Sequence, residues 1–249
     1  MENVCSFYEY YYDFLDVNKG KNVNNVLYIK TSNRNEVLNR EFSYPLIISK
    51  FNDKIYVSVS DQYYEPVFQY FKNINLYNLN KEEIYAKVKK CFSNLLDKFE
   101  VNIMYRMYKN QKINIDDSEV MLLNENTKKY FMNSGKKSND KKFKEEKWNE
   151  MKYLTKHKRA YIISKDEKIA SLSYISDIYN RGANIVVNTN EKYRNLGYGK
   201  RVVAKTSNFV IDNGLLPIYF VNVKNQASIN LAKSLEFKNM VTEIVVCIH

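Results

Sequence analysis

Glycine is scarce in this chain, six residues in 249, yet two of the six stand one residue apart in the run YRNLGYGKR at 193–201. The run follows a strand-like stretch, ANIVVNT, and precedes a helix-like one, KRVVAKTSNFVIDN. A strand, a tight glycine-bearing turn and a helix leave the backbone few choices, because glycine enters left-handed torsions that other residues resist. The same arrangement makes an anion site. Successive backbone N–H groups point into the turn, and the first helical turn adds unpaired donors and the positive end of its dipole. Gly197 and Gly199 lack a Cβ, so a phosphate can approach the backbone closely, with Arg194, Lys200 and Arg201 supplying charge. A tight strand-to-helix connection with no ligand is the plainer reading of the same spacing. Two nucleotide motifs are excluded: no Gly-Lys-Ser/Thr follows, as a P-loop needs, and no third glycine completes a dinucleotide fingerprint.

The bulk of the chain narrows its class. Its length suits one large domain or two ordinary ones. Hydrophobic residues at 45% and charged residues at 27% fit a globular protein and not a disordered one. No apolar run approaches the roughly 20 residues that span a bilayer, so no membrane partner is expected. The N-terminus shows neither the basic start nor the cleavage site of a signal peptide. Cys5, Cys91 and Cys247 are odd in number and form no CxxC pair, which points to a reduced, cytoplasmic protein. His157 and His249 are isolated, and no metal site is expected. The net charge of +11 admits a nucleic-acid partner, but Lys, Asn, Ile and Tyr also mark AT-rich codons. In GKKSNDKKFKEEKW acidic residues interleave with lysine, as on a solvated loop and an exposed helix face. No nucleic-acid module is recognisable, and no nucleic-acid partner is expected.

The first half reads as a mixed α/β unit. SFYEYYYDFLDV is an aromatic packing helix, VLYIKT a strand, and PLIISKFNDKIYVSVS a hairpin turning at Asn52 and Asp53. YYEPVFQYFKNI and KEEIYAKVKKCFSNLLDKFE are helices, the second with an apolar stripe from Ile84 through Val88, Cys91, Phe92, Leu95 and Leu96 to Phe99. VNIMYRMY is a strand, and the polar run KNQKINIDDS is the expected domain boundary. In the second half EVMLLN is a strand, and ENTKKYFMN and FKEEKWNEMKYL are helices, the latter with Phe143, Trp148, Met151 and Leu154 inward. AYIISKDEKIASLSYIS gives two strands around Asp166 and Glu167. After the glycine turn and its helix, Gly214 occupies a left-handed cap position. LPIYFVNV is a strand, NQASINLAKSLEF a helix and MVTEIVVCI a closing strand.

Arg194-x-x-Gly197-x-Gly199, entered from a strand and opening a helix, resembles the coenzyme A pyrophosphate loop of the GNAT superfamily of N-acetyltransferases, in particular its two-lobed bacterial members. LLPIYFVNVKNQASINLAKSLEF continues the resemblance, with an Asn after the next strand and a helix ending near Phe237. The resemblance is specific from about 185 to 237 and extends in element order over roughly 115–249. It implies an acyl-CoA N-acyltransferase-like α/β (α+β) fold: a mixed, mostly antiparallel sheet with a splayed parallel pair, flanked by helices. Residues 1–112 would form a smaller α/β lobe and 113–249 the acetyl-CoA-binding catalytic domain.

The resemblance further implies acetyl-CoA as co-substrate. Backbone groups near Val187 and Thr189 would pair with the pantetheine arm. Arg194 to Arg201, including Asn195, Leu196, Tyr198 and Lys200, would cradle the pyrophosphate, and Asn225 and Ser228 would contribute from the next helix. A small-molecule or peptide amine would attack the thioester directly. The Tyr that the family places seven residues after the Asn is Ala232 here, the Gly before the last Phe is Glu236, and the strands NIVVNT and YFVNV carry no carboxylate base. Asp177, Tyr219 and Asn222 are candidates for proton transfer by position, and Tyr198 or Tyr219 could replace the missing acid. The leading expectation is an N-acetyltransferase with Tyr219 and Asp177 as catalytic candidates. A binding module that keeps the acyl-CoA pocket with little catalysis, and a basic nucleic-acid binder sharing only the turn, are the alternatives.

Overall fold

The computed structural model describes residues 5–38, 42–134 and 141–248; residues 135–140 of the lysine-rich stretch and His249 lie outside them. In chain order the elements are α1 (Phe7–Leu15), β1 (Gly20–Val23), β2 (Val26–Lys30), β3 (Val37–Leu38), β4 (Phe42–Phe51), β5 (Lys54–Val59), α2 (Tyr64–Phe71), α3 (Lys81–Ser93) and β6 (Glu100–Tyr108). There follow β7 (Met121–Leu122), α4 (Lys128–Met132), α5 (Lys141–Lys156), β8 (Ala160–Lys165), β9 (Lys168–Tyr179), β10 (Gly182–Thr189), α6 (Tyr198–Asp212), β11 (Leu216–Asn222), α7 (Gln226–Ser234) and β12 (Lys238–Ile248). Two compact units emerge. The first comprises Cys5–Tyr108, Phe220–Ile229 and 238–248; the second comprises Lys109–Tyr219 and Asn230–Phe237.

Asparagine and acidic residues take the left-handed positions that glycine usually fills. The hairpin loops Asn24–Asn25, Asn52–Asp53 and Asp166–Glu167 all carry two positive φ values, between 49° and 67°, as two-residue primed turns require. Asn and Asp tolerate that region because their short polar side chains bond locally. With turns made this way, a glycine that does remain has a more specific reason to be there.

In the first unit the strand order is β1-β2-β5-β4-β12-β6. Pairing is antiparallel except for β2 with β5, which run parallel through five successive pairs, Val26–Ile55 to Lys30–Val59. One face packs Leu46, Ile48 and Val57 against Val67 and Phe71 of α2 and Val88 and Phe92 of α3. Helix α3 stops at Ser93, so Leu95, Leu96 and Phe99 belong to the chain beyond it, although they pack on the same cluster. Ser93 turns its hydroxyl onto the Lys90 carbonyl at 2.9 Å, a local bond that competes with helix propagation.

A buried ionic cluster lies beneath α1. Arg106 forks onto Glu243, with Nε–Oε1 at 2.6 Å and Nη2–Oε2 at 3.0 Å, and its guanidinium lies over the rings of Phe14 and Phe220 at 4.0 and 4.4 Å. Its Nη1 also donates to the Tyr10 hydroxyl at 3.0 Å. Tyr11 donates to Ser49 at 2.8 Å. The two buried tyrosines of α1, Tyr10 and Tyr11, thus satisfy their hydroxyls inside the protein.

In the second unit β7, β8, β9 and β10 pair antiparallel in that order, and β11 joins β10 in parallel. Successive residues of β8 face opposite sides. Ile162 packs with Trp148 and Leu154 of α5, and Ile163 packs with Ala170, Tyr193 and Val202 of α6. Trp148 is fully buried, while Phe143 is 39% exposed and Lys144 takes the buried position. Helical spacing explains the exchange: Lys144 is four residues before Trp148 and shares its face, whereas Phe143 is rotated away. The strand expected at EVMLLN shortens to Met121–Leu122. Gly214 adopts φ +71° after α6, as expected. Together the two units make the mixed α/β architecture of mostly antiparallel strands flanked by helices that the resemblance implied.

Candidate functional site

The site grows from the way β10 leaves β11. Their parallel pairing lasts for three residues, Gly182–Leu216, Ala183–Pro217 and Asn184–Ile218. On its other edge β10 continues along β9 to Thr189–Ser171, but the register skips Ser176 between Asn184 and Ile185. An extra residue of this kind bends and twists the strand pair, and it does so where β10 parts from β11. Residues 185–189 therefore keep β9 on one edge and, among the described residues, pair with no strand on the other. Alternate N–H and C=O groups of a strand point to that free edge, which makes it a slot lined by backbone donors and acceptors.

The slot leads into the glycine turn, which is pinned at its start. The hydroxyls of Thr189 and Ser171 lie 2.8 Å apart, and the Asn190 N–H donates to the Ala170 carbonyl at 2.9 Å. Asp166, in the β8–β9 turn, accepts from Lys192 Nζ at 2.8 Å and from the Tyr193 hydroxyl at 2.7 Å. Beyond Arg194 the chain is exposed: Asn195 has φ +64°, and Gly197 has φ +81° as the N-cap of α6.

The two glycines serve different ends. Gly197 needs its left-handed torsion, and a Cβ built on it would meet nothing within 4 Å. Gly199 is buried, and a Cβ there would come within 2.8 Å of Leu231 Cδ1 and 3.1 Å of Thr189 Oγ1. So Gly199 lets the first turn of α6 settle onto the end of β10, while Gly197 keeps the space above that turn open.

The start of α6 carries no cap of its own. Gly197 offers no side-chain cap, and the first turn contains no acidic residue. The N–H groups of Tyr198, Gly199 and Lys200 have no intrahelical acceptor at this end. Lys200 is exposed, and Arg194 is exposed, its one ion contact among the described residues being with Glu191 at 3.9 Å. Arg201 is held back: its Nη1 meets Glu119 Oε2 at 2.5 Å, and the other Glu119 oxygen takes Lys165 Nζ at 2.7 Å. The bond from Lys165, reinforced by the charge of Lys165 and Arg201, holds the Glu119 carboxyl below the usual carboxylate range. Lys165 in turn lies 5.5 Å from the centre of the Tyr198 ring.

The structure brings Val187, Thr189 and residues 194–201 together in this one unit. Asp177 and Tyr219 flank the fork from opposite strands, since Asp177 pairs with Asn184 and Tyr219 follows Ile218. Asp177 Oδ2 accepts from the Ser176 hydroxyl at 2.7 Å, and Asn184 Nδ2 donates to the same hydroxyl at 2.8 Å. Tyr219 is buried with its ring 5.5 Å from that of Phe237. Asn225, Ser228 and Asn222 belong to the other unit. There Asn225 Oδ1 accepts the Ser228 N–H at 3.1 Å and caps α7, while Asn222 bonds the Asn102 side chain and the Lys224 N–H, both at 2.9 Å.

At the positions that depart from the family pattern, Ala232 is fully buried, and Glu236 adopts φ +60°, the torsion a glycine would take without strain. Glu236 accepts from the buried Lys109 at 2.8 Å, a role glycine could not fill. Sequence reasoning missed this pair and the Glu119 bridge, whose partners are remote in sequence. Among the described residues no group of three His, Cys, Asp or Glu side chains is placed to hold a metal ion, and no helix is long and apolar enough to cross a membrane.

A family model described as GNAT acetyltransferase matches residues 28–243. Among solved structures, a GNAT-family acetyltransferase from Colwellia psychrerythraea is 11% identical with a TM-score of 0.49, the match covering 65% of this chain and 61% of that one. A GCN5-related N-acetyltransferase-like protein from Streptococcus suis is 18% identical with a TM-score of 0.41, covering 64% and 68%. A GCN5-related N-acetyltransferase from Sphaerobacter thermophilus is 8% identical with a TM-score of 0.44, covering 66% and 56%. The chain thus spans about three fifths of the length of the first of these structures. No curated protein matches it.

Proposed function

The chain belongs to the GNAT acetyltransferase family, and from that premise we propose that it transfers an acetyl group from acetyl-CoA to an amine by direct attack. The observation that carries this reading is the continuity of the free edge of β10 with the uncapped start of α6. A pantetheine arm offers amides that can pair with an unpartnered strand edge, and a pyrophosphate suits a helix start with unpaired N–H groups. Helices α1 and α3 in the same chain are closed by capping boxes, Ser6 with Glu9 and Asn80 with Glu83. Helix α6 has instead a bare glycine and a first turn bearing Lys200 and Arg201, charges that oppose its own dipole. Such a start gains most when an anion is bound.

In the proposed reaction the neutral amine attacks the thioester carbonyl. A C–N bond forms, the C–S bond breaks, the amine loses a proton and the departing thiolate gains one. A backbone N–H of the slot aimed at the developing oxyanion would contribute about 3 kcal/mol of transition-state stabilisation. Asp177, at the fork, is the group we assign to receive the proton, through water. Tyr219 is assigned to supply the thiolate's proton in place of the side chain missing at Ala232.

A second reading, an acyl-CoA-binding module with little catalysis, is favoured by one observation: Tyr219 is only 3% exposed, which limits its access to a leaving group. Thermal unfolding with acetyl-CoA and with CoA tests the binding that both readings share, since a ligand that binds only the folded state raises the midpoint. A rise that Gly197→Trp abolishes supports the loop as the pyrophosphate site, and turnover with any amine separates the first reading from the second. No shift at saturating ligand sinks both.

A further inference from the structure

On the α4–α5 face of the second unit lies a groove of about 660 Å³. Its apolar lining includes Phe131, Phe143, Ile169 and Leu172, and its basic lining is Lys144, Lys147 and Arg194 against one carboxylate, Glu191. Asn188 and Thr189 also line it, so the groove shares β10 with the slot described above.

Lys144 is the residue that calls for an explanation. Lysine is among the side chains least often buried, and Lys144 is 8% exposed. Its ammonium donates to the Met132 carbonyl at the end of α4. One neutral carbonyl satisfies one of three donors and none of the charge. Among the described residues Lys144 takes part in no ion pair, whereas Lys147, three residues on, is paired with Glu150 at 2.8 Å. Among the described residues it has no counter-ion, and a buried cation so placed at the wall of an apolar groove is what an anionic ligand would complete.

We infer that this groove recognises the acceptor by a carboxylate seated on Lys144, with an apolar portion of the same molecule against Phe131, Ile169 and Leu172. The acceptor is then an amine that also carries a carboxylate and a hydrophobic side chain, such as an apolar amino acid or the end of a short peptide. The assignment rests on the acetyl-transfer reading for calling this ligand the acceptor; the carboxylate site itself does not need it.

The test uses the full chain and two ligand pairs that differ only in the carboxylate: N-acetylphenylalanine with N-acetylphenethylamine, and N-acetylleucine with N-acetylisoamylamine. Binding is read by calorimetry without acetyl-CoA. The expected result is at least tenfold tighter binding of each carboxylate member, lost in Lys144→Met and partly retained in Lys144→Arg. Equal affinity within both pairs overturns the inference with no variant needed, as does a preference that survives in Lys144→Met. A weakened acetyl-CoA thermal shift in Lys144→Met would assign the lysine to a nucleotide phosphate and equally overturn it. Failure of acetyl-CoA to bind the wild type defeats the proposed function while leaving the ligand pairs readable.

Discussion

Each unit contains one parallel strand pair, and the two pairs behave differently. In the first unit β2 and β5 stay together for five residues, and the Thr31 N–H extends the ladder by donating to the Val59 carbonyl at 2.9 Å. The pair is sealed and contributes Val26, Tyr28, Ile55, Val57 and Val59 to a core. In the second unit β10 and β11 part after three residues. The charges follow the same division. Arg106 and Glu243 are buried and bonded to each other, while Arg194 and Lys200 stand in water around an open turn. The first unit joins its buried charges to each other, while the second, besides its own ion pairs, has exposed cations beside a strand edge that the parting of β10 from β11 leaves open.

The largest expected effect comes from opening what is sealed. Glu243→Leu leaves the Arg106 guanidinium buried without a counter-ion and should reduce stability by about 3–5 kcal/mol, read from urea unfolding. Adding Arg106→Met should recover most of that loss, because a well-packed apolar pair often replaces a buried ion pair at no net cost. If the single change proves mild, the cluster is wetter than its exposure suggests and the contrast between the units weakens.

The next pair of substitutions divides stability from ligand binding within the second unit. Gly197→Trp puts a bulky side chain into the open space and strains a left-handed torsion by about 1–2 kcal/mol, and it should erase the acetyl-CoA thermal shift. Gly197→Asn, which tolerates the torsion, should lose the shift with less destabilisation. Gly199→Ala should do the reverse. Its Cβ presses on the mobile end of Leu231, so we expect overpacking of about 1 kcal/mol, at the low end of such effects, with the ligand shift retained. Equal loss of ligand response in Gly197→Asn and Gly199→Ala would show that both glycines face the ligand.

Much of this was legible locally. The glycine turn, its flanking strand and helix, the left-handed Gly214 and the turns at Asn52–Asp53 and Asp166–Glu167 are written in short runs, because a two-residue loop or a cap is decided by its own residues. The parting of β10 from β11 is not, since NIVVNT reads as a strand whether or not its second edge is paired. Arg201 reads as a phosphate-loop cation from its position, but its ion pair with Glu119, 82 residues away in sequence, is not visible there. Phe143 reads as core and Lys144 as surface by residue type, whereas position on the helix, four residues before Trp148, buries Lys144. Glu236 shows the converse: the place of a missing glycine was visible in sequence, but the buried Lys109 that occupies its carboxylate was not.

The smallest effect gives the sharpest sign. Lys200 lies in the first turn of α6, where a positive charge meets the positive end of the helix dipole. Replacing it with Glu reverses that interaction and, with no ligand present, should raise stability by about 0.3–1 kcal/mol at low salt. The same change places a negative charge beside the N–H groups of Tyr198 and Gly199, so acetyl-CoA affinity should fall, and added salt should shrink both effects by screening. A residue kept for the fold would lose stability when its charge is inverted. A residue kept for a bound anion would gain stability in the free protein and lose it in the complex. Unfolding curves of Lys200→Glu with and without acetyl-CoA, at low and high salt, distinguish these directly. A variant less stable than the wild type in both states would mean that the open turn belongs, like the sealed pair β2–β5, to the structure alone.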